Sequence, residues 1–251
     1  MKWGQKTAVV VVAGVLGLVV GMPAAVLDGV LQKTGGSNVH LVETQGSVWF
    51  GRGRVEVRDA VGQAVLAQDI SWRLEATSVL HGHLVFAVQA GHDGAQFPLT
   101  IGLGGIEIVD ADIDLPASIL GQLAPRLVPL GLTGNVALHV DKLLIDRDPG
   151  RDRTHGSLRA HWQNAGSILS NVAPLGEYTL MVTIAEGSIL CELRTLHGPL
   201  QLEGDGSCGG RGRSEFIATA YVPEQQRAQL TPLLRLIAVD RGDGSFALQV
   251  K

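Results

Sequence analysis

Beyond Lys33, apolar and polar side chains alternate along most of the chain. Ile70, Trp72 and Leu74 point one way, and Ser71, Arg73 and Glu75 the other. VEVR at Val55–Arg58 alternates likewise, as do Leu84, Phe86 and Val88, then Phe97, Leu99, Ile101 and Leu103, and then Ile106 and Ile108. The second half repeats the habit at Val136, Leu138 and Val140, at Leu158, Ala160 and Trp162, and at Leu180, Val182 and Ile184. Ile189, Cys191 and Leu193 follow, then Phe216, Ala218 and Ala220. A period of two is what a sheet with one buried and one wet face requires. HGH at His81–His83, HDG at His92–Gly94 and the pair Gly104–Gly105 punctuate the runs and predict hairpin turns. The architecture predicted is a curved, largely antiparallel sheet.

The alternation breaks in three places. DLPASILGQLAP at Asp114–Pro125 sets Ile119, Leu120 and Leu123 at helical spacing behind Pro116, which predicts a short helix ending before Pro125. YVPEQQRAQLTPLLRLI at Tyr221–Ile237 is again opened by a proline, and Leu230, Leu233, Leu234 and Ile237 form an apolar stripe. The third break is at the N-terminus. Thr7 to Leu27 contains no charged side chain, with Lys2 and Lys6 before it and Asp28 after it. A run of about 20 apolar residues matches a helix crossing a bilayer, and the basic flank belongs in the cytoplasm. Cleavage as a signal peptide is the alternative, kept open by Ala24–Ala25. The run is long for a signal, and no small-x-small motif closes it, so a retained anchor is expected.

Strands, a tryptophan strand, hairpins and a proline-opened helix thus occur twice in the same order. Gly46 precedes Trp72 by nearly the same stretch as Gly134 precedes Trp162, and Asn164–Glu177 adds a loop rich in Gly, Ser and Pro. A duplicated unit follows from this match. Both tryptophans are expected as core anchors rather than ligand-stacking surfaces. The fold class expected is all-β with short helices: one N-terminal transmembrane helix, then two similar β units, each closed by a short helix. The expected division is 1–7 cytoplasmic, 8–27 transmembrane, 28–37 linker, 38–130 first periplasmic β unit and 131–251 second.

Composition narrows the function. The formal net charge is -4 over 251 residues, and no basic tract stands out, which argues against nucleic acid as a partner. No GxSxG, HExxH or phosphate-loop motif occurs. His81 and His83 could face one metal, but they flank a turn glycine and lack a third ligand. Asp110, Asp112 and Asp114 share a face and could hold a cation or do acid–base work, yet alternation with Ala111 and Ile113 makes them the wet side of a strand. SCGGRGR at Ser207–Arg213 lacks a following helix to aim amides at a phosphate, and reads as a mobile turn. DRDPGRDRTHG at Asp146–Gly156 is a charged loop, solvated or in contact with a partner. No catalytic, cofactor-binding or metal-binding residue is assigned, and no cofactor is implied.

Two cysteines fit no zinc spacing. Cys191 lies on the apolar face with Ile189 and Leu193, and Cys208 lies in what reads as a glycine-rich turn. A hairpin turn at Thr195–Gly198 would set Cys191 opposite Leu202, so a disulfide needs Cys208 to fold back. An oxidising compartment permits the bond, and the sequence leaves it open.

Several segments together resemble the type II secretion system protein N family. They are GSVWFGRGRVEV at Gly46–Val57, the strand ending at Trp72 with HGHL after it, PLGEYTL at Pro174–Leu180, TLHGPLQLEGDG at Thr195–Gly206, and LTPLLRLI at Leu230–Ile237 followed by DGSFAL. The resemblance implies a non-enzymatic accessory component of the machine that exports folded proteins. It further implies an inner-membrane anchor, a periplasmic β-rich region, and other type II secretion subunits as partners. The alternative is a periplasmic lipid-binding or lipid-transfer protein, whose mark would be an open apolar groove; closure by the two helices would count against it. An enzyme would need a cluster of ionisable groups in a cleft.

Overall fold

The computed structural model describes residues 21–29, 39–58, 62–91, 94–123, 125–146, 154–185, 187–210, 215–236, 238–241 and 245–250. They are mostly β, with few helices, and the strands pair antiparallel. The described residues form two compact units, those within 1–77 and 86–93, and those within 78–85 and 94–251.

In the first unit β1 (Val39–Gly46), β2 (Phe50–Arg58), β3 (Ala64–Leu74) and, from Phe86 on, β4 (Leu84–Ala90) follow one another as neighbours. Trp72 stands opposite Gly51 on β2 and Val88 on β4. A side chain at Gly51 would collide with the indole, its Cβ falling 2.7 Å from the ring. Glycine there lets Trp72 lie flat on the sheet, and only 7% of it stays exposed. Gly46 takes φ +96°, a backbone open mainly to glycine, and turns the chain between β1 and β2.

Of the expected transmembrane segment, residues 8–20 lie outside the described residues. Its end is tied to the first hairpin. The Ala24 amide donates to the Gly46 carbonyl at 3.2 Å, the Val48 amide to the Met22 carbonyl at 3.0 Å, and the Leu41 amide to Asp28 Oδ1 at 2.9 Å. Ala24 is buried. Among the described residues no helix is long and apolar enough to cross a membrane.

The second unit continues as a meander of β5 (Gln96–Gly102), β6 (Gly105–Pro116), β7 (Leu132–Asp146), β8 (His155–Ser167), β9 (Gly176–Ala185), β10 (Ser188–His197), β11 (Gln201–Gly210) and β12 (Glu215–Tyr221). The last strand, β14 (Ser245–Val250), inserts between β12 and the short β13 (Val239–Asp240). The hairpin turn expected at Gly104–Gly105 falls one residue earlier, at Leu103–Gly104, since Gly102 pairs with Gly105. Leu103 is therefore an exposed tip rather than the end of an alternating strand. The turn expected at His92–Gly94 falls largely outside the described residues.

The first helix differs from expectation. Asp114, Leu115 and Pro116 stay in the ladder against Ala137, Val136 and Asn135, so β6 runs on through the proline. A 3-10 turn at Ala117–Ile119, helix α1 (Leu120–Leu123) and a 3-10 stretch at Pro125–Leu130 follow. The second helix, α2 (Glu224–Leu234), starts behind Pro223 as expected. Its Leu230, Leu233 and Leu234, spaced on one face, are buried against Leu130, Leu175, Leu200 and Phe246. The glycine- and proline-rich loop is shorter than expected, because β8 continues to Ser167 and β9 begins at Gly176.

Cys191 and Cys208 form a disulfide, with Cα atoms 5.9 Å apart. Cys208 is in β11, not in a turn. Cys191 stands opposite Gly206 rather than Leu202, and the register shifts between Ile189↔Gly209 and Leu190↔Ser207. That bulge leaves Cys208 as the extra residue, diagonal to Cys191.

Candidate functional site

The second unit holds a partly open apolar cavity of about 300 Å³. Its floor follows from register. Ala160 on β8 faces Leu180 on β9, Leu180 faces Leu193 on β10, and Leu193 faces Gly204 on β11. Gly204 faces Ala218 on β12, which faces Leu248 on β14. Partners directly opposite share a sheet face, so this row lies on the face that α2 covers. Ala160 and Ala218 line the cavity, and Leu180, Leu193 and Leu248 of the same row wall the space these small side chains leave. Leu233 and Leu234 of α2, with Leu127 and Leu130 of the 3-10 stretch, form the roof.

Closure is incomplete. Leu130, Leu175, Leu230 and Leu234 are buried at the helical end, whereas Leu180, Leu193 and Phe216 remain half-buried further along the strands. The polar groups in the lining are engaged with the backbone. Tyr178 OH donates to the Leu200 carbonyl at 2.8 Å, Ser167 Oγ to the Leu130 carbonyl at 2.5 Å, and Trp162 Nε1–H to the Thr133 carbonyl at 3.0 Å. Burial of the Tyr178 phenol pushes its pKa upward, so it stays a neutral donor.

Polar clusters lie on exposed faces. Asp110, Asp112 and Asp114 are exposed on β6, and His139 of β7 gathers the first two. Its Nδ1 lies 2.7 Å from Asp112 Oδ1, and its Nε2 lies 3.3 Å from Asp141 and 3.8 Å from Asp110. The hydrogen bond with Asp112 raises the His139 pKa above its ordinary value, partly opposed by desolvation, with the Asp112, Asp141 and Asp110 charges adding. Sequence reasoning missed His139 and Asp141; their alternation in LHVDK marks them as face-sharing, but only the β6–β7 register brings them to the aspartates. In the first unit Arg54 bonds Asp69 at 2.8 Å and Glu43 at 3.2 Å, again at the surface, where such pairs contribute little.

The remaining sequence candidates are dispersed. His81 ends a 3-10 helix, and its ring centroid lies 6.0 Å from that of His83. Among the described residues no group of three or more His, Cys, Asp or Glu could hold a metal ion. Ser207–Gly210 belong to β11, a strand where a mobile turn was expected, and residues 211–213 of that motif lie outside the described residues. The charged loop lies outside them from 147 to 153. Trp72 is a core anchor, its Nε1–H shared between the carbonyls of Ser47 at 3.2 Å and Val48 at 3.1 Å. Trp162 is only half-buried, packed 5.6 Å from the Tyr178 ring, and is a wall of the cavity.

Residues 37–249 match the family model for type II secretion system protein N. No curated protein and no solved structure matches the chain.

Proposed function

Since the chain belongs to the type II secretion system protein N family, we propose that it is a non-enzymatic accessory component of that machinery. Residues 8–27 anchor it in the inner membrane, residues 1–7 stay in the cytoplasm, and the β-rich region works in the periplasm against other secretion subunits. The match over residues 37–249 carries this reading. The apolar run from Thr7 to Leu27 supports the anchor. The Cys191–Cys208 disulfide supports an oxidising compartment for the β region.

Two similar β units, 38–130 and 131–251, belong to the same proposal. Their support is the shared setting of the two tryptophans. Each indole donates to a carbonyl at or just before the start of the preceding strand, beside a glycine of positive φ, Gly46 at +96° and Gly134 at +106°. Deleting the gene in a bacterium with a working type II system tests the function. Folded cargo should accumulate in the periplasm, and the full chain supplied in trans should restore export. Undiminished export in the deletion strain would refute the reading.

A further inference from the structure

We propose that the cavity of the second unit is a binding site for one hydrocarbon chain, the acyl chain of a membrane amphiphile. The row from Ala160 to Leu248 is apolar across six strands, and the hydroxyl and indole donors around it are held by backbone carbonyls. A peptide segment entering this space would bring amides and carbonyls that nothing there could satisfy, which is costly in an apolar site. A hydrocarbon chain brings none. At about 300 Å³ the space stands at the lower end of ligand sites, which suits one chain rather than a bulky ring system.

The position of the mouth agrees. Leu180, Leu193 and Phe216 are half-buried, so the floor reaches solvent beyond the cover of α2. The polar end of the amphiphile stays outside, because the cavity has no group to receive it.

The test uses the full chain reconstituted in phospholipid nanodiscs. One arm carries a diazirine-bearing palmitic acid, and the other a phosphatidylethanolamine with a diazirine in one acyl chain. After illumination, the labelled residues are mapped by mass spectrometry. Label is expected at Leu180, Leu193 or Phe216 in at least one arm, and the arm identifies free fatty acid or phospholipid as the source. Ala160→Phe and, independently, Leu193→Trp fill the space; excluding two methylenes lowers occupancy about tenfold. Ile217→Trp, on the outward face, leaves the label unchanged. Circular dichroism and thermal unfolding identify a variant that retains the fold, and that variant is the one scored. Absence of label at the cavity in both arms, or label that a folded filling variant does not reduce, overturns the proposal.

Discussion

Trp72 and Ser47 are joined across the first hairpin, the indole N–H donating to the Ser47 carbonyl at 3.2 Å. The bond fixes the one polar atom of a side chain that is otherwise buried, so Trp72 holds β3 against the turn that opens β2. Trp72→Ala should destabilise the chain by about 3–5 kcal/mol, and Trp72→Phe, which keeps a ring but drops the hydrogen bond, by much less. Trp162→Ala should cost less than Trp72→Ala, because Trp162 is half-exposed. Urea unfolding followed by circular dichroism gives the order; equal losses at the two sites would contradict it.

The disulfide closes a loop with a sequence separation of 17. Chain-entropy reasoning gives about 3 kcal/mol for a loop of this length. Replacing both Cys191 and Cys208 by Ser should lower stability by about that amount, read as the difference in urea midpoints at constant slope. Cys208 is exposed, so dithiothreitol should open the bond without prior unfolding. Thiol alkylation before and after the reductant, at zero urea, checks this; thiols that appear only in urea would contradict it.

His139 carries a pH dependence with a definite sign. Its folded pKa is raised, first by the Asp112 hydrogen bond. The stabilisation is therefore fully present below the unfolded value of about 6.5 and is lost as pH rises through the folded pKa. Titration of the His139 ring by NMR should give a midpoint above the ordinary histidine value, and Asp112→Asn should lower it. A midpoint indifferent to that change would show that the contact does not persist in solution.

Anchoring rests on the length of the apolar run. Leu16→Arg should raise the insertion free energy by about 2.5–3.5 kcal/mol. The native chain should resist alkaline carbonate extraction, and the variant should be partly released. A mature chain beginning near Asp28 in wild-type cells would establish cleavage instead.

Much of the fold was legible because a period of two is a local property. The run from Ile70 to Leu74 and the stripe at Leu230, Leu233 and Leu234 predicted β3 and α2 with no knowledge of their neighbours. Register was not legible. One bulge in β11 moved Cys208 from an expected turn to a position diagonal to Cys191, and no local pattern announces a bulge. His139 reaches Asp110 and Asp112 only through the pairing of β6 with β7. The cavity floor is the extreme case. Ala160 and Ala218 look unremarkable in two separate strands, and the space they leave exists only once their strands align.

The most direct test of the secretion role is contact in living cells. A photoreactive amino acid placed at Val42, on the first strand of the first unit, or at the exposed Met181 of β9 should crosslink the full chain to another subunit of the type II secretion machinery. Unpaired strand edges and exposed apolar side chains are ready docking surfaces. The account predicts an adduct identified by mass spectrometry as a secretion subunit, absent from cells lacking that subunit. Adducts that contain no secretion component, from cells in which the machinery is assembled and exporting, would contradict it.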